Sequence, residues 1–181
     1  MPPKSKIQKE MIIQAAFRLI HEDGMYALNA RALAKKLNCS TQPIYSHYQN
    51  MDSLKIDVKS KIDAYYHDFM MTFIDQDHHL FTESLGYIEF ARQEPQLFEA
   101  LFLSHLTGKR TINEVLLSSW NQKTLEDTQK EFNIDLKHAQ DLYRDVRFYS
   151  HGIATQLFSK TIELTLQEVK ELLNHLISKL S

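Results

Sequence analysis

The sequence predicts an all-α protein, and three observations carry that expectation. Glycine and proline number only four each in 181 residues. Runs of β-branched residues are few, and apolar residues recur at spacings of three and four along most of the chain. Together they predict about nine helices and no strand. The first spans about Lys6 to Asp23, with Ile12, Ala15, Ala16, Leu19 and Ile20 on its inner face and Gly24 at its left-handed end. A second, short helix starts after Asn29, a good N-cap, turns Ala30, Leu33, Ala34 and Leu37 inward, and ends at Asn38. Three residues on, Ser40 or Thr41 caps a third helix with Pro43 in its first turn, where a missing N–H costs little.

From Asn50 or Asp52 a long fourth helix carries Leu54, Val58, Ile62, Tyr65, Phe69 and Phe73 as one apolar stripe. Further helices are expected at about 79–93, 95–106 and 111–132, with Pro95 pre-set for a first turn. Two long helices close the chain: the first, about 135–160, carries Ala139, Leu142, Val146, Tyr149, Ile153 and Leu157 on one face. The last helix, about 166–180, has Leu166, Val169, Leu173, Leu176 and Leu180 behind a Thr165-x-x-Glu168 capping box.

Composition excludes several classes. The longest apolar stretches, such as Leu101–Leu103, fall far short of the roughly 18 residues a bilayer requires. Met1-Pro2-Pro3-Lys4-Ser5-Lys6 is basic but leads into Lys9 and Glu10 rather than an apolar core, so no secretory signal is expected. The single cysteine, Cys39, cannot form an internal disulfide, which points to a reducing cytoplasm. The net charge of −2 hides an asymmetry: residues 1–61 hold ten Lys/Arg against five acids, a balance of +5, and the remainder stands at −7. A basic head on an acidic body suggests a polyanion-binding region joined to one that does not bind polyanions. Chance variation between solvated faces gives the same numbers.

Residues 29–48 have the layout of a helix–turn–helix, whose second helix presents its N-terminal side chains to base edges in the major groove. That helix opens with Ser40-Thr41-Gln42-Pro43, and glutamine can pair with adenine through two hydrogen bonds. Tyr45 and His47 follow. Short helix pairs with polar turns also occur in enzymes, so the layout alone leaves both readings open.

Residues 9–58 resemble the DNA-binding domain of the TetR family of bacterial transcriptional regulators. The resemblance rests on Ile12-x-x-Ala15-Ala16-x-x-Leu19, Gly24, Arg31-x-Leu33-Ala34, the Asn38-Cys39-Ser40 turn, and Ile44-Tyr45-x-His47-Tyr48 followed by Asn50 and Leu54. Phe90-Ala91-x-x-Glu94-Pro95-x-Leu97-Phe98 and His151-Gly152-Ile153-Ala154 are similar to segments of one class of the family's regulatory domains. The resemblance implies a helix–turn–helix domain over 1–53 and a helical regulatory domain, for ligand binding and dimerisation, over 54–181. It implies that Arg31, Thr41, Gln42, Pro43, Tyr45 and His47 face DNA. Arg31 and Tyr45 suit phosphates, Thr41 and Gln42 base edges, and Pro43 a thymine methyl. Tyr48 suits the core. One departure is Met51, where the family usually has a phosphate-gripping lysine; Lys55, one turn on, is the candidate substitute.

The acidic body is crowded with aromatic and methionine side chains, which fill bundle cores and also line apolar pockets. The resemblance implies a small-molecule pocket there, for which Phe69, Phe73, Phe102, Trp120 and Tyr149 are the candidate lining. The last two helices are too apolar for lone surface helices, so they are expected to pair with a second copy through Gly152, Ile153, Gln156, Leu166, Val169, Leu173 and Leu176. The function this implies is a homodimeric, cytoplasmic repressor that a small-molecule ligand releases from a palindromic operator. A regulator answering to a protein partner and an all-helical enzyme are the rival readings. No catalytic motif and no cofactor are expected. Asp75-x-Asp77-His78-His79 combines metal-ligand types, but adjacent histidines on a helix diverge by about 100°, so no metal is expected there. His21, His67, His105, His138 and His175 are scattered and read as surface or packing residues.

Overall fold

The computed structural model describes residues 7–104 and 108–181. Lys4 and Lys6 of the basic N-terminal stretch, and His105, lie outside the described residues. Among those described, ten α-helices and no strand are present. They form two compact units: residues up to Tyr66 together with Gln96–Gly108, and His67–Pro95 together with Lys109–Ser181.

In the first unit α1 (Lys9–Asp23) buries the five expected residues, Ile12, Ala15, Ala16, Leu19 and Ile20. Gly24 follows with φ 82° but ψ 174°, so the chain leaves the helix extended rather than in a left-handed cap. That position needs glycine on two counts. Its φ is positive, and a Cβ would stand 2.6 Å from the Gln96 side-chain oxygen. A single 3-10 turn over Met25–Ala27 leads to α2 (Ala30–Lys36), where the Asn29 side-chain oxygen accepts the Ala32 N–H at 2.9 Å. Asn38 takes the left-handed conformation expected of it, with φ 51°. Then come α3 (Gln42–His47) and α4 (Met51–Met71), whose start Asn50 caps by accepting the Ser53 N–H at 2.9 Å. Leu33, Ile44, Tyr48, Leu54, Val58 and Ile62 complete the unit's apolar core. The unit also holds most of α6 (Pro95–Phe98) and the wider π turn Glu99–Leu103 that prolongs it. The sequence period cannot separate that turn from a regular helix.

The second unit is built on α5 (His79–Gln93), which is buried on nearly every face between α8 (Ser119–Phe132), α9 (Leu136–Phe158) and α10 (Leu166–Leu180). A helix covered all round must place its polar residues inside, and α5 buries His79, Glu83, Ser84 and Glu89. Leu80, Leu125, Leu142, Tyr143, Val146 and Ile177 pack as one cluster. Gly86 lets the end of α4 approach: a Cβ there would meet Phe73 and the Met70 sulfur at 3.1–3.2 Å. The Thr165–Glu168 capping box forms as the sequence indicates. The single helix expected over 111–132 is two. It breaks after α7 (Ile112–Leu116), because Ser118 turns out of the helix and accepts the Asn121 N–H to cap α8. This accounts for ten helices where nine were expected.

Candidate DNA-binding face and ligand pocket

The N-terminus of α3 is polar and solvent-facing. Thr41 holds the N-cap position without any side-chain cap bond, so its hydroxyl is not spent on the helix, and Gln42 beside it is exposed. Pro43 lies half-buried in the first turn, and Tyr45 is 52% exposed. Arg31 is exposed in the first turn of α2. His47 is exposed, but its Nε2 lies 3.0 Å from the Ile7 carbonyl oxygen, so its ring also ties the start of the chain to the reading helix. Lys55 ion-pairs with Asp52 at 2.8 Å. Such an exposed pair contributes about 0–1 kcal/mol and is readily exchanged for a phosphate.

Beneath this face lies a brace that the sequence did not single out. The buried Tyr48 ring donates its hydroxyl to the Asp57 carboxylate at 2.9 Å. Lys9 reaches the same carboxylate at 2.6 Å and stands 5.3 Å from the centre of the Tyr48 ring. The bonds from Lys9 and then Tyr48 hold Asp57 below the usual carboxylate range against the opposing effect of burial. Burial and the Asp57 charge push the Tyr48 hydroxyl upward. One acid thus joins α1, α4 and the end of α3, and it fixes the angle at which α3 is presented. The partners are separated by 9 and 48 positions, so no local pattern announces them.

In the second unit a pocket of about 470 Å³ is lined by His67, Met71, Ile74, Gln76, His79, Ser119, Trp120, Lys123 and Asp127. Of the five side chains expected to line a pocket, Trp120 is the one in the wall of this pocket. Phe69 and Phe73, both half-buried, lie against each other at 5.4 Å, with Phe69 edge-on to Phe90 at 5.2 Å. Phe102 lies in the first unit against Tyr66 and Phe98, and half-buried Tyr149 is absent from the pocket wall.

A hydrogen-bonded chain forms the floor. Lys123 donates to Asp127 Oδ1 at 2.7 Å, and His79 Nδ1 lies 2.8 Å from Oδ2. The Thr124 hydroxyl sits 3.4 Å from His79 Nε2 and donates to Glu83 Oε2 at 2.7 Å, while the Trp120 N–H donates to Glu83 Oε1 at 3.0 Å. Burial works to raise the Asp127 carboxyl, but the bonds from Lys123 and His79 outweigh it and keep it below the usual range. An ionised Asp127 only accepts, so His79 Nδ1 carries a proton. Glu83 receives hydrogen bonds from neutral donors and is fully buried, and desolvation raises its carboxyl.

The Asp75–His79 cluster is split by this arrangement. His79 turns into the floor, His78 meets Glu131 at 3.1 Å, and Asp75 accepts the Asp77 N–H. Among the described residues no group of three His, Cys, Asp or Glu side chains is placed to hold a metal ion. The residues expected at a subunit interface also separate. Ile153, Val169 and Leu173 are buried in the chain's own bundle, which removes them from any surface. Gly152, Gln156 and Leu166 are exposed, and Leu176 is half-buried against the core. Phe148, also on α9, is 61% exposed.

Residues 12–57 match the model of the N-terminal domain of bacterial regulatory proteins of the tetR family. The chain is 24% identical over 114 residues to the uncharacterised helix–turn–helix regulator YobS of Bacillus subtilis, covering 61% of this chain and 59% of that one. It is 31% identical over 67 residues to the class D tetracycline repressor of Escherichia coli, covering 37% and 31%. These alignments therefore span less than two thirds of either relative. In fold the chain is similar to a TetR variant from Acinetobacter baumannii AYE in complex with minocycline, with a TM-score of 0.57, 22% identity and 96% of both chains covered. No helix among the described residues is long and apolar enough to cross a membrane.

Proposed function

We propose, from the premise that this chain carries a DNA-binding domain of the tetR family of bacterial regulatory proteins, that it is a transcriptional repressor of the cytoplasm. It acts as a homodimer on a palindromic operator and is released by a small molecule bound in its second unit. The observation that carries this reading is exposed Gln42 beside half-buried Thr41, whose side chain makes no cap bond, at the N-terminus of α3 on a braced head that also exposes Arg31. Gln42 is assigned to a base edge, Thr41 to a base or sugar edge, Pro43 to a thymine methyl, and Arg31, Tyr45, His47 and Lys55 to phosphates. Minocycline in the structure from Acinetobacter baumannii supports the ligand-binding part of the reading by analogy. Helix α4 supplies Leu54 and Val58 to the core of the head and Met71 to the pocket wall, so one element is available to transmit a ligand's preference.

The test is fluorescence-anisotropy binding of the full chain to the intergenic DNA beside its own gene, against scrambled competitor, over a salt series. Sequence-selective binding whose logarithm falls linearly with log salt, at a slope near −0.9 per phosphate contacted, is the expected result. Salt-independent or sequence-indifferent binding across a genome-wide selection of fragments would sink the reading.

A further inference from the structure

The pocket already holds a cation of its own. Lys123 sits at the mouth with its side chain about half exposed, and its ammonium rests on Asp127, a carboxylate whose side chain is only 7% exposed. Behind that pair the floor is fixed, because His79 holds the other Asp127 oxygen and is itself 5% exposed. The walls are apolar and aromatic: Met71, Ile74 and the Trp120 ring, against which His67 packs edge-on at 5.0 Å. Trp120 is further locked from behind by Glu83, so its ring face is a rigid surface.

We propose that this pocket takes an amphipathic amine, a ligand with an apolar, preferably aromatic, body and one protonated amino group that replaces the Lys123 ammonium on Asp127. The proposal deepens the reading of the second unit as an effector-binding domain and rests on it. Charge decides between head groups. A ligand carboxylate drawn to Lys123 would enter beside the Asp127 carboxylate, 2.7 Å from the same ammonium, and would be repelled. A neutral hydroxyl gains only an ordinary hydrogen bond. A ligand ammonium offers the same three donors as lysine. It leaves the lysine's flexible stem to return to water at little cost, while the ligand body covers Trp120, Met71 and Ile74.

The test uses the full-length protein and three probes with one body and three heads: 4-phenylbutylamine, 4-phenylbutanol and 4-phenylbutyrate. The chain has a single tryptophan, so intrinsic fluorescence reports Trp120 directly. The amine should bind about 10- to 100-fold more tightly than the alcohol, as expected for a hydrogen bond to a buried charge. Lys123→Gln should tighten amine binding several-fold, since it removes the nearer of the two lysines on Asp127 Oδ1 and leaves only Lys130 at 3.9 Å, and should leave the alcohol unaffected. Asp127→Asn should abolish the preference for the amine. If the three probes bind alike, if the carboxylate binds best, if none binds, or if Lys123→Gln weakens the amine, the assignment of ligand class is overturned. Operator affinity measured alongside separates the two layers. Amine binding that leaves operator affinity unchanged keeps the pocket's chemistry and defeats the release mechanism, whereas operator binding with an amine-indifferent pocket does the reverse.

Discussion

The two units solve opposite problems. Among the described residues, every buried polar or charged side chain belongs to the second unit, from His79, Glu83 and Glu89 on α5 to Asn121, Thr124 and Asp127 on α8 and Ser150 on α9. The first unit keeps an apolar core, joined only by the Tyr48 hydroxyl, and holds its chemistry at the surface. A DNA reader needs groups that meet solvent until they meet bases, so its interior is free to be simple. A pocket must build its chemistry where water is scarce, so its interior carries charge. The difference teaches that stability and function are separable in the head and intertwined in the body.

The largest effect that tests this contrast comes from removing one member of each network. Asp127→Ala would leave the buried His79 imidazole N–H without its acceptor, a loss expected to cost about 1–3 kcal/mol. Tyr48→Phe removes one hydrogen bond while Lys9 continues to hold Asp57, and should cost about 1 kcal/mol. Urea unfolding of both variants provides the comparison, and equal losses would break it.

Next in size is the change expected on the surface of the head. A good bidentate pair to a base is worth about 1–3 kcal/mol of discrimination, so Gln42→Ala should reduce selectivity between operator and mismatched DNA by about 10- to 100-fold with no change in unfolding midpoint. Lys55→Ala should instead weaken all sequences alike and reduce the salt slope by about one. A Gln42 variant that loses stability but not selectivity would mean that α3 is held for packing alone.

The same contrast explains what could be read in the sequence. The head was legible almost residue by residue, because its signals are local: the Asn29 cap, left-handed Asn38 and Pro43 in a first turn each act within a few positions. In the body the capping box at Thr165 was legible for the same reason, whereas Trp120 was named only as one of five aromatic candidates for a pocket that the resemblance implied. The floor was not legible. His79 meets a carboxylate 48 positions away and Glu83 a hydroxyl 41 away, separations over which no periodicity carries information. The break at Ser118 was hidden because Leu116 and Leu117 continue the apolar period straight through it. Exposed Phe148 and buried Val169 show the converse. Hydrophobicity locates a face but does not say whether the chain's own core or another molecule covers it.

A pH-dependent effect sharpens the comparison further. Desolvation raises the Glu83 carboxyl above its unfolded-state value, so over the window just above the ordinary glutamate range the folded chain keeps a proton that the unfolded chain has released. Stability from this group is therefore present at low pH and lost as pH rises through the raised value. Glu83→Gln keeps a side-chain oxygen for the Trp120 N–H and removes the titration. Between pH 5 and pH 8 the ratio of wild-type to variant stability should fall, read from urea midpoints at each pH. The head, with its acids ion-paired at the surface, should show no corresponding window of loss on raising pH. A Glu83 variant that tracks the wild type across the range would show that the carboxyl titrates alike in the folded and the unfolded chain.

The smallest effect distinguishes a surface the chain leaves open from one a second copy covers. Gly152 lies inside α9, is exposed, and has nothing within 4 Å of where a Cβ would stand. Within the chain, therefore, Gly152→Ala meets no obstacle and should gain up to about 1 kcal/mol of helix propensity. In the proposed dimer the same methyl would stand between two closely packed helices, flanked by Phe148 and Gln156 on the exposed side of α9. The two contributions have opposite signs and different concentration dependence. Unfolding at low protein concentration should show stabilisation, while sedimentation equilibrium should show a weakened self-association, and operator binding should shift to higher protein concentration in step with it. If the methyl stabilises at every concentration and association is unchanged, this stretch of α9 faces solvent in the dimer, and the interface must be sought around Leu166 and Leu176 on α10.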